Sequence, residues 1–77
     1  MTTANVEYTD TFGGDANYSW VVRDCFECDG MSDLAVMRRA KHLVGLSGVR
    51  GQKQDYGNLI EFRPVHSCTI MFITFTL

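Results

Sequence analysis

A chain of 77 residues, 45% hydrophobic and 21% charged, has room for one small core and none for a large enclosed substrate cavity. Its three cysteines are an odd count, which argues against a fully paired secreted scaffold. No apolar run approaches the ~20 residues of a membrane-spanning helix, and no leader pattern opens the chain, so cytoplasmic residence is the expectation.

Residues 1–4 are polar and expected to fray. In residues 5–12 Val6, Tyr8 and Phe12 share one parity, with Asp10 the exception, which is the alternation of a half-buried strand. Residues 13–17 (Gly13, Gly14, Asp15, Ala16, Asn17) suit a reversal, because glycine reaches positive φ and Asp or Asn bonds its own backbone. A second strand follows over 17–27, with Tyr18, Trp20, Val22 and Phe26 in phase. That phase predicts Trp20 buried between sheet and helix, against Met37 or Leu43. After a turn at 28–31, Ser32 is placed as an N-cap and Asp33 complements the helix dipole.

The helix is predicted over Asp33–Val44. Val36, Met37, Ala40, Leu43 and Val44 form its apolar stripe, and Gly45 is set to close it in a left-handed conformation. Gly48–Tyr56 reads as an irregular or edge strand, Tyr56–Asn58 as a turn, and Leu59–Arg63 as a short strand ended by Pro64. Cys68–Leu77 is apolar on both faces at first, which marks a strand that is central or covered by another chain. The fold class is therefore α+β: a single antiparallel sheet of four to five strands, one helix on one face, order β-β-α-β-β-β, in one domain over 1–77.

Two constellations could carry chemistry. Cys25, Cys28, His66 and Cys68 offer four soft ligands for zinc, but the His-x-Cys spacing is unusual and Cys25 falls within a strand, so no metal or other cofactor is expected. Cys68 and His66 are two apart and would share a strand face, but reach alone does not make a nucleophile and base, so no catalytic residue and no enzyme is expected. The charge layout is more informative. Residues 1–33 hold seven acids against one base and residues 34–77 six bases against two acids, so the net −2 divides into −6 and +4. This predicts an acidic patch able to steer a partner, with Glu7, Asp10, Asp15, Asp24, Glu27 and Asp29 as contacts. The rival is a basic face of Arg38, Arg39, Lys41, Arg50 and Lys53 that tracks phosphates as a small nucleic-acid or nucleoprotein accessory.

Asp10-Thr-Phe-Gly-Gly-Asp-Ala-Asn-Tyr-Ser-Trp-Val followed by Arg23, with the Ser32–Lys41 helix and Gly48-Val-Arg, resembles small phage and mobile-element proteins of the anti-CRISPR type. The resemblance covers residues 10–23 and 32–50, about half the chain. It implies an inhibitor that docks on a host CRISPR–Cas nucleoprotein complex and blocks nucleic-acid binding or cleavage by occlusion. It carries no interface residue over, and leaves a monomer or homodimer open.

Overall fold

The computed structural model describes all 77 residues. Five strands form one antiparallel sheet: β1 (Thr3–Phe12), β2 (Asp15–Glu27), β3 (Gly51–Asp55), β4 (Leu59–Pro64) and β5 (Thr69–Thr76), with α1 (Asp33–Leu43) between β2 and β3. Across the sheet the strands lie in the order β2-β1-β5-β4-β3. The two-sided apolar start of the last strand is explained by this order, because β5 is the central strand. Polar Gly51–Asp55 takes an edge, where unpaired backbone faces water.

One face of the sheet carries the core. Ala4 and Val6 of β1, Ile60 and Phe62 of β4, and Met71 and Ile73 of β5 pack with Val36, Met37 and Ala40 of α1 and with Leu46 just beyond it. The helix ends are closed locally. Ser32 Oγ accepts from the Ala35 amide at 3.1 Å. At the other end Gly45 has φ +80, its amide donates to the His42 carbonyl, and the Leu46 amide donates to the Lys41 carbonyl at 2.7 Å. That pair of bonds is a Schellman closure, and it turns Leu46 back into the core.

The first hairpin departs from its sequence reading. The reversal is only Gly13–Gly14, both at positive φ as a two-residue hairpin turn of the favoured twist requires. Asp15 and Ala16, expected in a longer loop, pair with Phe12 and Thr11, and the irregularity falls further along, in a bulge. Between the pairs Thr9–Val21 and Thr11–Ala16, the single residue Asp10 on β1 faces Asn17, Tyr18, Ser19 and Trp20 on β2. Trp20 is also not a core residue. It shares the helix side of the sheet with Tyr8, whose ring meets it edge-on at 5.2 Å, yet it stays 42% exposed. The cause is reach: β2 is the outermost strand, and the buried cluster under α1 draws its sheet residues from β1, β5 and β4.

Candidate functional site

The other face of the sheet has no layer over most of its area. Residues of alternate parity line it in rows set by the register. One row runs Arg23, Glu7, Phe72, Glu61, and the next Cys25, Asn5, Thr74, Leu59. The bulge supplies a wall. Four residues against one force the hairpin end to bend, and Tyr18 takes φ +57, a left-handed conformation that a bulky residue adopts only when its surroundings hold it. Its hydroxyl then donates to Glu7 Oε1 at 2.6 Å on the uncovered face. Arg63 fastens the tip from across the sheet, with Nη1 donating to the Gly14 carbonyl at 2.9 Å. Beneath the folded tip Thr9 is fully buried, its hydroxyl donating to the Trp20 carbonyl at 2.6 Å.

The result is a groove of about 630 Å³. Phe72, Asn5 and Thr74 form its floor, Tyr18 and Arg23 one side, and Leu59 the other. Volume and lining fall in the range of ligand and peptide sites, which combine an apolar floor with a few placed polar groups. Glu7 Oε2 accepts from Arg23 Nε at 3.0 Å, and the Arg23 side chain remains 65% exposed. The Tyr18 hydrogen bond, and after partial burial opposes it the Arg23 guanidinium, holds the Glu7 carboxyl below the usual carboxylate range. The same bond pushes the Tyr18 phenol up. The groove thus presents a neutralised Glu7–Arg23 pair beside an aromatic floor.

The six acids of the expected acidic patch do not form one. Glu7 lies in the groove, bonded to Tyr18 and Arg23. Asp10 closes the bulge, accepting from the Ser19 amide and from Asn17 Nδ2, both at 3.0 Å. Those two bonds hold its carboxyl down to about 2. Asp15 sits at the hairpin turn, and Asp24 faces the helix side of the sheet, where Oδ1 accepts from the Cys25 amide. Glu27 ends β2 on the uncovered side, and both oxygens of Asp29 accept from the Thr2 amide. They are spread over two faces and both ends of the sheet, several of them consumed by backbone amides. Clustering in sequence failed to become clustering in space because strand alternation sends neighbours to opposite faces.

The basic set is divided too. Arg38 and Arg39 are exposed on α1 and Arg50 precedes β3. Lys41 is half-buried: its ammonium donates to the Val49 carbonyl and lies 4.7 Å from the Phe62 ring centroid. Lys53 lies on β3 opposite Phe62. Arg38 and Lys41 border a recess of about 300 Å³ with Ser47 and Gly48. Cys25 and Cys28 are three apart along extended chain, so they point to opposite sides of the sheet, Cys25 exposed and Cys28 buried. Cys68 and His66 occupy the β4–β5 turn, and no group of three or more His, Cys, Asp or Glu gathers to hold a metal ion.

No family model matches the chain, and neither curated proteins nor solved structures give a significant match.

Proposed function

We propose that this chain is a protein-binding module that works through the uncovered face of its sheet. The observation that carries the reading is the groove: an aromatic floor at Phe72, held open by a strained Tyr18 that is pinned to Glu7. Backbone strain of this kind costs of order 1–3 kcal/mol and concentrates at sites that use it. Half of the ten lining residues are apolar, and of the three charged ones Glu7 and Arg23 neutralise each other while Asp24 accepts from the Cys25 amide, so complementary shape and apolar burial drive docking more than net charge.

The sequence resemblance supplies the partner class to test, a CRISPR–Cas nucleoprotein complex, and the role, inhibition by occlusion. In this account the inhibitor does not imitate nucleic acid with a bank of carboxylates. It covers a protein surface that the complex needs.

The test compares two exposed pairs of substitutions. Thr74→Lys with Cys25→Lys places charge in the groove, while Arg38→Glu with Arg39→Glu reverses the helix. Loss of binding with the first pair and retention with the second supports the reading. The opposite pattern transfers the function to the basic helix.

A further inference from the structure

The outer edge of β2 carries an interaction surface that is independent of the groove's occupant. Along β2 the odd residues turn their backbone groups away from β1. The Cys25 amide donates to Asp24 Oδ1 at 2.8 Å, whereas the carbonyl of even-numbered Trp20 points inward to Thr9. As an edge strand, β2 therefore offers an unpaired outer row from Val21, Arg23, Cys25 and Glu27. Two carboxylates restrict it. Asp24 occupies the Cys25 amide, and Asp10 occupies the Ser19 amide within the bulge. Between these two capped positions Val21 and Arg23 remain, symmetric about Val22. At the same place Val22 and Trp20 are each 42% exposed on the helix side.

We propose that β2 pairs antiparallel with β2 of a second copy of this chain, on a two-fold axis at Val22. A window symmetric about one residue is complementary to itself, as a two-fold interface requires. Val21 of each copy exchanges both backbone hydrogen bonds with Arg23 of the other, and neither carboxylate cap is broken. On the helix side Val22 meets Val22, and each Trp20 lies toward Asp24 of the other copy, an indole N–H donor facing an acceptor. Neighbouring registers are worse. An axis at Arg23 or Asp24 sets like charges directly opposite, which destabilises a strand pair. An axis at Cys25 needs the Asp24 cap released, and one at Val21 needs the Ser19 amide that Asp10 holds. The dimer is a continuous ten-stranded sheet, twice the five strands of one chain, with both grooves on one side.

Sedimentation velocity over a wide concentration range tests this with the full chain. The expected result is a concentration-dependent dimer that Val22→Lys weakens at least about tenfold, with the circular dichroism of the monomer unchanged. A second variant reads the register: Val22→Cys in a Cys25→Ser, Cys68→Ser background. A non-hydrogen-bonded antiparallel pair holds its Cα atoms about 4.5 Å apart, within disulfide range. Mild oxidation should then yield a covalent dimer through position 22. A chain that is monomeric throughout, a dimer indifferent to Val22→Lys, or oxidation that joins wild-type chains through Cys25 while the Val22→Cys variant stays uncrosslinked each overturns the proposal.

Discussion

Tyr18 and Glu7 lie eleven residues apart in sequence and are joined on the uncovered face by a 2.6 Å hydrogen bond from phenol to carboxylate. The bond holds the hairpin end over the sheet and gives the groove its wall. Tyr18→Phe keeps the ring and removes the donor. The hydroxyl is solvent-accessible, so the expected loss of stability is small, below about 1 kcal/mol. The Glu7 carboxyl, relieved of its main stabilising partner, should titrate at higher pH than in the wild type. Carboxyl NMR titration of both proteins checks this; an unchanged Glu7 would remove Tyr18 from the account.

Acid should open the hairpin end. The Asp10 carboxyl sits at about 2 in the folded chain against an ordinary 3.8, and Glu7 is also lowered from 4.5. A depressed folded-state value means the contribution is fully present above the ordinary value and is lost as pH falls through the folded one. The bulge should therefore stay closed at pH 5 and release between about 3.8 and about 2. The Ser19 amide, whose acceptor is Asp10, is the probe. Its exchange protection should fall in that window, and Asp10→Asn should weaken it already at neutral pH.

Trp20→Ala should cost less than a buried tryptophan would. Full truncation in a core costs about 3–5 kcal/mol, but this ring is 42% exposed and rests mainly against Tyr8. A loss of about 2–3 kcal/mol is expected from urea unfolding, which is that range scaled by the buried fraction of the ring. Ile73→Ala, at a fully buried position of the central strand, should cost about 2–5 kcal/mol.

Gly51→Ala tests the β3 edge. A Cβ there would lie 2.3 Å from the Arg63 carbonyl oxygen and 2.7 Å from the Phe62 ring. The backbone oxygen cannot yield without moving β4, so the pairing of β3 with β4 should loosen. Loss of protection at the Val65 amide, which donates to the Arg50 carbonyl beside it, is the expected readout.

Much of the fold was legible because it is written locally. Ser32 and Gly45 bound the helix, Ile70–Ile73 announced a strand buried on both sides, and the order β-β-α-β-β-β follows from the alternation around them. Trp20 was misplaced because parity gives a side of the sheet and not the reach of the helix across it. The acidic run misled for the reason that alternation divides it. The groove was illegible, since it depends on a bulge that appears only when the registers on either side of Asp10 are compared. One trace of it was present: Asp10 broke the apolar parity of β1, at the residue whose carboxylate the bulge requires.

The central claim is that the uncovered face binds protein. Affinity for purified CRISPR–Cas effector complexes, measured for the wild type, the Thr74→Lys, Cys25→Lys protein and the Arg38→Glu, Arg39→Glu protein, tests it most directly. The account predicts binding by the wild type, at least a tenfold loss (about 1.4 kcal/mol) with the groove substitutions, and no change with the helix reversal. Binding that survives the groove substitutions and disappears with the helix reversal would contradict it.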